Sequence, residues 1–220
     1  MSNKSVIITA GGIGRRMRSS LPKQFILVNE KPILMYTIKV FYEYDPKIEI
    51  LLTLPEDWRN YWEDLLREHD FKIPHRIVSG GKERYDSIKN ALSKCAGNLI
   101  AVHDGVRPLV ELDTIRNCFK EAEKSGAAIP VVPIVESLRR KNAMGTEIVN
   151  RKDYLIVQTP QCFQRDVLVG AYENPYHEGI TDDASLVEES GHPIETILGN
   201  ESNIKITTQS DLKYAGMFLK

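Results

Sequence analysis

The chain lacks the features that mark disulfide-rich, zinc-binding or membrane proteins. Its three cysteines are far apart, and none stands in a Cys-x-x-Cys or Cys/His spacing that could hold zinc. The longest apolar run, residues 127–135, has nine residues and two prolines, whereas about 20 residues are needed to span a bilayer. An apolar strand is predicted from about residue 6, which leaves no room for a signal peptide. We therefore expect a cytoplasmic protein with no membrane partner, in a compartment that keeps thiols reduced.

The chain also lacks an excess of either charge. Its 29 basic and 30 acidic residues give a net charge of −1, and no basic stripe is present, which disfavours nucleic acid as a partner. Against this neutral background, residues 9–24 (TAGGIGRRMRSSLPKQ) contain four cations and no acid. Glycines in such a loop let the backbone approach a ligand closely. Backbone N–H groups and fixed cations after a strand are typical of a phosphate-binding site.

Short apolar segments alternate with amphipathic ones along most of the chain. Strands are predicted at residues 6–9, 48–54, 76–78, 99–103 and 128–132, and helical stripes at 34–41, 58–69, 88–95 and 112–122. This alternation predicts an α/β fold with a doubly wound, mainly parallel sheet, in a single domain over 1–220. Ligands bind such sheets at the carboxyl ends of the strands, where the glycine-rich loop, Gly80-Gly81 and His103-Asp104-Gly105 would all lie.

The second half of the chain departs from this pattern. Residues 136–153 predict two short polar strands around a turn at 142–145, with too few apolar residues for a core, so we expect a protruding β-arm that packs on a partner subunit. Further strands are predicted near 194–197 and 204–207, with helices near 165–173 and after 210. Asp182 and Asp183 would either cap a helix beginning near Ala184 or serve the site.

Two common phosphate motifs are absent. The pattern GxGxxG would need glycine in place of Met17, and a P-loop would need glycine at Arg76 and Ser or Thr at Glu83. The first loop is instead similar to the signature loop of sugar-phosphate nucleotidyltransferases. With five later motifs it resembles the 2-C-methyl-D-erythritol 4-phosphate cytidylyltransferase family from about residue 6 to the end. The ordered motifs are Ala10-Gly11-Gly12-x-Gly14-x-Arg16-Met17 with Pro22-Lys23-Gln24, Gly80-Gly81-x-x-Arg84-x-x-Ser87, His103-Asp104-x-x-Arg107-Pro108, Gln158-Thr159-Pro160-Gln161, Thr181-Asp182-Asp183-Ala184-Ser185 and Asn203-Ile204-Lys205-Ile206-Thr207.

The resemblance implies a Rossmann-like nucleotidyltransferase fold and an enzyme. The implied reaction transfers the CMP moiety of CTP to 2-C-methyl-D-erythritol 4-phosphate and releases pyrophosphate, in non-mevalonate isoprenoid precursor biosynthesis. The implied catalytic residues are Arg16, Lys23 and Lys205. The implied nucleotide-binding residues are Ala10, Gly11, Gly12, Gly14, Gly81, Ser87, Asp104 and Gly105. The implied residues for the polyol phosphate are Arg107, Ser137, Arg151, Thr159 and Lys205.

The resemblance also implies a divalent cation and a partner. Mg2+ would be held mainly by the CTP phosphates, with Asp104 as the candidate protein ligand and no certain metal site. The family's arm reaches the neighbouring subunit's site, which implies a homodimer with Arg151 contributed across the interface.

The chemistry explains why no catalytic triad is expected. The nucleophile is a phosphate monoester, already largely dianionic at neutral pH, so cations rather than a general base are required. We therefore interpret His103 as a buried structural residue, and Arg15 and Arg18 as solvated or structural.

Two alternatives stay open. Ribitol-5-phosphate cytidylyltransferases share the loop and several motifs, and a lysine also appears there at the position of Lys82. In addition, Ser137 stands where the methylerythritol family commonly has threonine. A catalytically silent nucleotide-binding domain is the other alternative, against which Arg16, Lys23, Asp104 and Lys205 speak together.

Overall fold

The computed structural model describes residues 3–12 and 21–219; Gly14, Arg15, Arg16 and Arg18 lie outside the described residues. The strands are β1 Lys4–Thr9, β2 Leu27–Val28, β3 Lys31–Pro32, β4 Glu49–Leu54, β5 Arg76–Ser79, β6 Leu99–Asp104, β7 Ala127–Pro133, β8 Arg139–Asn142, β9 Gly145–Ile148, β10 Leu155–Val157, β11 Gln161–Gln164 and β12 Glu195–Leu198. The α-helices are α1 Ile33–Tyr44, α2 Arg59–Glu68, α3 Arg84–Leu92, α4 Leu112–Ser125, α5 Arg165–Ala171, α6 Asp183–Glu189 and α7 Gln209–Phe218.

The main sheet has eight strands in the order β10-β7-β11-β6-β1-β4-β5, with β12 beside β7. Strands β5, β4, β1 and β6 run parallel, as do β7 and β12. The mainly parallel α/β prediction is therefore confirmed. Strands β10 and β11 were not predicted, and both run antiparallel to their neighbours. They are only three and four residues long, too short to show a clear hydrophobic period.

Helices cover both faces of the sheet, which explains why its central strands are apolar without alternation. On one face Val6 and Ile8 of β1 pack in a cluster that includes α1 and Trp62 of α2. On the other face Ile7 packs with Ile88 of α3 and with residues of α5 and α6. Strands β1, β4 and β6 end at the same edge of the sheet, because Thr9 of β1 pairs with both Thr53 of β4 and Asp104 of β6. Within the described residues, no helix is long and apolar enough to cross a membrane.

The segments outside the central sheet test the remaining predictions. Strands β8 and β9 form the predicted antiparallel polar hairpin, and α7 is the predicted closing helix. The prediction of a strand at 204–207 is wrong, because this segment runs as a loop without a strand assignment. The alternation of apolar and polar residues in this segment arises instead from packing. Ile206 is buried and its N–H donates to the Val106 carbonyl, while the Lys205 side chain points to the surface beside Asp104.

Candidate active site

A cavity of about 320 Å³ lies at the carboxyl ends of the central parallel strands. The sequence-predicted residues that line it are Ala10, Gly11, Gly12, Lys23, Gly81, Ser87, Asp104 and Lys205. They come from four separated segments, which the parallel topology brings to one edge of the sheet. Arg16 and Gly14 lie outside the described residues, so their predicted roles stay predictions.

Asp104, the last residue of β6, is the electrostatic centre of this cavity. Its carboxylate lies 3.1 Å from Lys205 Nζ and 3.0 Å from Arg107 Nε. Burial alone would raise the pKa of Asp104, but the charges of Lys205, Arg84 and Arg107 outweigh burial and hold it well below its usual value. Asp104 is therefore a carboxylate at neutral pH, and it holds the Lys205 side chain at the cavity.

Lys23 reaches the same place from the other end of the chain. It opens a short helical turn, Lys23–Phe25, and its Nζ donates to the Ile206 carbonyl at 3.2 Å. The next residue, Gln24, is buried and donates to the Ala10 carbonyl at 2.6 Å. This turn therefore fixes the start of the glycine-rich loop and places Lys23 against the segment that carries Lys205.

Gly81 lies in a tight turn before α3 and is bonded to Ser87 in the first part of that helix. The Ser87 hydroxyl accepts from the Gly81 N–H at 2.9 Å and donates to the Glu83 carbonyl at 3.1 Å. Glu83 and Asp86 complete a reciprocal cap at the start of the helix. A Cβ on Gly81 would overlap the Asp86 Cβ, so only glycine fits without a shift of the turn.

His103 is a core residue, as predicted. It is fully buried, and its Nε2 donates to the Arg107 carbonyl at 3.0 Å, because a carbonyl can only accept. Its Nδ1 then accepts from the Thr159 hydroxyl at 3.0 Å, and that hydroxyl accepts from the Asp104 N–H at 3.2 Å. Burial lowers the pKa of His103 to about 4. The imidazole is therefore neutral and orients the strand end that carries Asp104.

The residues predicted for the polyol phosphate are less close together. Arg107 is committed to Asp104 and, through Nη1, to the Asn203 carbonyl at 2.8 Å. Thr159 is buried and bonded to His103 and to the Asp104 N–H, whereas Ser137 and Arg151 are exposed in the segment of the β-arm. Arg151 bonds to the carbonyl of Val135. These four residues do not line the described cavity of one chain, and their substrate roles stay predictions.

Arg84 lines the cavity but was not among the predicted site residues. The Gly80-Gly81-x-x-Arg84 motif held the signal that could have found it. The open question about Asp182 and Asp183 is resolved by position: Asp182 accepts from the Ser185 N–H at 2.9 Å and caps α6, while Asp183 is fully buried against Arg84.

The described residues contain no group of three or more His, Cys, Asp or Glu side chains that could hold a metal ion. The two carboxylates that line the cavity are Glu83 and Asp104. Glu83 belongs to the helix cap and Asp104 to the cation cluster. Any cation in the cavity would need most of its ligands from a bound molecule and from water.

Comparison with known proteins points to one family. A sequence model of the 2-C-methyl-D-erythritol 4-phosphate cytidylyltransferase family matches residues 5–220. The chain is 47% identical over 217 residues to a 2-C-methyl-D-erythritol 4-phosphate cytidylyltransferase of Bacteroides thetaiotaomicron, covering 98% of this chain and 99% of that protein. It is 48% identical over 217 residues to the enzyme of that name from Azobacteroides pseudotrichonymphae, covering 98% of each.

Solved structures agree with this result. The crystal structure of 2-C-methyl-D-erythritol 4-phosphate cytidylyltransferase from Thermus thermophilus superposes with a TM-score of 0.80 at 28% identity, over 97% of both chains. The enzyme of that name from Francisella tularensis superposes with a TM-score of 0.79 at 31% identity, over 99% of this chain and 100% of that one. The similarity therefore extends over almost the whole chain in both sequence and fold.

Proposed function

The chain belongs to the 2-C-methyl-D-erythritol 4-phosphate cytidylyltransferase family, and we propose that its reaction takes place in the cavity at the end of β6. As a member of this family it is a nucleotidyltransferase that joins the cytidylyl group of CTP to 2-C-methyl-D-erythritol 4-phosphate, in the non-mevalonate isoprenoid pathway. One observation supports this location of the active site. Lys23 and Lys205 both lie at the cavity next to the glycine-rich loop that follows β1, beside the ionised Asp104.

The proposed mechanism is charge neutralisation in a direct displacement. A phosphate oxygen of the acceptor forms a bond to the α-phosphorus of CTP, while the bond from that phosphorus to the bridging oxygen breaks and pyrophosphate leaves. Both reactants are anions, so fixed cations reduce their repulsion and stabilise the charge on the transferred group. We assign this role to Lys23 and Lys205, and by family resemblance to Arg16. No side chain needs to remove a proton, which agrees with the buried, neutral state of His103.

We propose that the cytidine end of CTP lies along the two glycine turns. Backbone groups of Ala10, Gly11 and Gly81, with Ser87, would bind the pyrimidine. Asp104 and Gly105 would lie at the ribose, and Gly12 with Gly14 would follow the phosphates. Gly105 is packed against β1: its N–H donates to the Thr9 carbonyl at 2.9 Å, and a Cβ there would come within 3.0 Å of that oxygen. Its small size therefore supports close packing of the strand ends under the ligand.

Mg2+ fits this proposal as a cation carried mainly by the substrate. Asp104 offers one hard oxygen donor of the kind that Mg2+ prefers, and the described residues around it form no protein cage. We therefore propose that Mg2+ is held by the CTP phosphates and water, with Asp104 as its candidate protein ligand. When bound, it would neutralise part of the triphosphate charge.

We propose that the whole chain, residues 1–220, is one nucleotidyltransferase domain whose arm, residues 136–153, completes the site of a second copy. Large apolar side chains are exposed on this arm and in the segments that adjoin it in sequence: Val135, Met144, Ile148, Leu155, Ile156 and Val157. Exposed apolar surface of this extent is typical of an interaction site. Arg151 and Ser137 would then reach the acceptor across a homodimer interface. Lys205, together with Arg107 and Thr159, which also hold the strand end of Asp104, would contact the acceptor from the first chain.

A cytoplasmic location belongs to the same proposal. All three cysteines are free and buried, which suits a compartment where thiols stay reduced.

The test is turnover with two acceptors. Pyrophosphate release is measured with CTP, Mg2+ and either 2-C-methyl-D-erythritol 4-phosphate or ribitol 5-phosphate, and we expect a clear preference for the methylerythritol compound. Ribitol 5-phosphate is included because Lys82, the lysine shared with ribitol-5-phosphate cytidylyltransferases, lines the cavity. A preference for ribitol 5-phosphate would overturn the acceptor assignment, and no turnover with either acceptor would favour a silent nucleotide-binding domain.

A further inference from the structure

The short helical turn that carries Lys23 is anchored by the aromatic ring at its other end. Phe25 ends this turn, is 1% exposed and belongs to the core cluster on the face of α1 and α2. Three rings from the segment after β4 surround it, with centroid distances of 5.7 Å for Trp58, 5.3 Å for Tyr61 and 6.1 Å for Trp62. Protein cores are close-packed, so a ring enclosed in this way is held in one position.

Trp62 is the fully buried member of this group, and a hydrogen bond fixes its orientation. Its indole N–H donates to Nε2 of His75 at 3.0 Å. An indole nitrogen can only donate, so Nε2 is the acceptor and the other ring nitrogen, Nδ1, donates to the Ile73 carbonyl at 2.8 Å. Burial lowers the pKa of His75, so its imidazole is neutral at neutral pH. Trp62 therefore cannot rotate without leaving a buried N–H unpaired.

The position of Phe25 decides that of Lys23, because the turn between them is short and closed. The Ile26 N–H donates to the Lys23 carbonyl at 3.2 Å. Lys23 lines the cavity, and its Nζ donates to the Ile206 carbonyl. Trp62, in contrast, is not among the described residues that line the cavity. A displacement of the Phe25 ring would move the Lys23 amine, and a misplacement of about 1 Å can cost about 10² in rate.

We propose that Trp62 is a positioning residue for Lys23, that it acts through Phe25, and that its hydrogen bond to His75 sets its orientation. This inference rests on the role proposed above for Lys23. That role is to stabilise charge which develops in the transition state, so a displaced amine lowers kcat and leaves the KM for CTP almost unchanged. A purely structural Trp62 would change the stability of the protein and neither kinetic constant.

The test is a double-mutant cycle between Trp62 and Lys23. Trp62→Phe keeps a ring but leaves space beside Phe25, and we expect kcat to fall roughly tenfold, with the KM for CTP within about threefold. In a Lys23→Met background the same change should have no further effect on kcat, because the charge to be positioned is absent. Phe119→Leu is the matched control, since Phe119 is buried in the same cluster but stacks on Tyr44. It should lower the melting temperature and keep wild-type kcat.

Variants of His75 test the hydrogen bond while Trp62 stays in place. His75→Leu removes the acceptor, and we expect kcat to fall by about twofold to fivefold, a loss on the scale of one hydrogen bond. His75→Gln keeps both an acceptor and a donor, so it should recover most of that loss. The same pair of variants in the Lys23→Met background should have equal kcat values.

Three results would overturn the inference, with folding checked by thermal melting. The first is wild-type kcat in a folded Trp62→Phe protein. The second is an equal fractional fall in kcat with and without the Lys23 amine. The third is a raised KM for CTP at unchanged kcat. If Trp62→Phe is unfolded, His75→Leu decides, and wild-type kcat in that variant overturns the inference.

Failure of the proposed function gives a different result. In that case the Lys23→Met variant itself keeps wild-type kcat. Failure of this inference leaves Lys23→Met impaired and the Trp62 variant active.

Discussion

Asp104 binds two cations from distant parts of the chain, Arg107 three residues further on and Lys205 near the C-terminus. Arg107 in turn donates to the Asn203 carbonyl. Arg107 therefore holds both the Asp104 carboxylate and the loop that carries Lys205. Through these contacts the buried Asp104 sets the position of Lys205, which is about a hundred residues away in the sequence.

The first residue-scale prediction concerns the two lysines. Lys23→Met and Lys205→Met keep the aliphatic stem and remove the charge, so each should lower kcat by roughly 10²–10³, the scale for one preorganised stabilising group. Lys213→Met is the matched control, since Lys213 is exposed on α7 and does not line the cavity. Wild-type kcat in a folded Lys23 or Lys205 variant would contradict the assignment.

The second residue-scale prediction concerns His103 and pH. Its pKa is about 4 in the fold against 6.5 for a free imidazole, so the unfolded chain binds more protons between these values. The contribution of neutral His103 to the free energy of unfolding is therefore fully present above pH 6.5. It falls by on the order of 3 kcal/mol as the pH decreases toward 4. Asp104, with its pKa held below its usual range, loses its contribution only at lower pH.

Denaturant unfolding at pH 7 and pH 5 measures this effect. His103→Gln keeps a donor and an acceptor but does not titrate, so its free energy of unfolding should fall less between the two pH values than that of the wild type. His177→Gln is the control, because His177 is exposed. An equal pH dependence in wild type and His103→Gln would show that another group titrates.

At the scale of elements, the loops of the site are held by the structures that flank them. Asn29, in the turn between β2 and β3, donates to the Gly216 and Leu219 carbonyls at the end of α7. At the other end of the helix, Thr208 caps α7 soon after Lys205. The closing helix therefore links the hairpin that follows Lys23 to the loop that carries Lys205.

The element-scale prediction concerns the turn before α3. Gly81→Ala places a Cβ into Asp86, so the turn must shift and the KM for CTP should rise at least severalfold, on the scale of lost hydrogen bonds. Gly170→Ala in α5 is the control, since a Cβ there meets nothing within 4 Å. That change should stabilise the protein by about 0.5–1 kcal/mol without affecting CTP. Equal kinetics for the two variants would contradict the role of the turn.

At the scale of the whole molecule, the described cavity lacks the residues predicted on the arm. Ser137 and Arg151 do not line it, and the arm has an exposed apolar surface. A second copy of the chain would both cover this surface and supply the missing groups, which is why we propose a homodimer.

Complementation tests that arrangement directly. Lys23→Met damages the cavity and Arg151→Ala damages the arm, so each homodimer should be nearly inactive. If Arg151 acts across the interface, mixed dimers have one intact site each, and an equilibrated equal mixture should recover about a quarter of wild-type activity. No recovery, in a mixture shown by mass spectrometry to have exchanged subunits, would place Arg151 in its own chain's site, and an active Arg151→Ala homodimer would place Arg151 outside any site.

Much of this fold was predictable because its signals are local. Continuous apolar strands and amphipathic helices predicted the central sheet, since each segment carries its own hydrophobic period. The segment 204–207 was predicted wrongly for the same reason. Alternation there reports burial of Ile206 against Val106, and a sequence does not distinguish that packing from strand pairing.

The sequence by itself determined the family, the mainly parallel sheet and the residues that meet at its edge, because motif order and hydrophobic period are properties of the chain. Only the tertiary structure decided how those residues are used. It paired Asp104 with Lys205, committed Arg107 and Thr159 to holding the strand end, and placed Arg84 in the wall with Asp183 behind it. The physical reason is that hydrogen bonds and ion pairs depend on distances of about 3 Å between atoms far apart in sequence, and such distances exist only after the chain has folded.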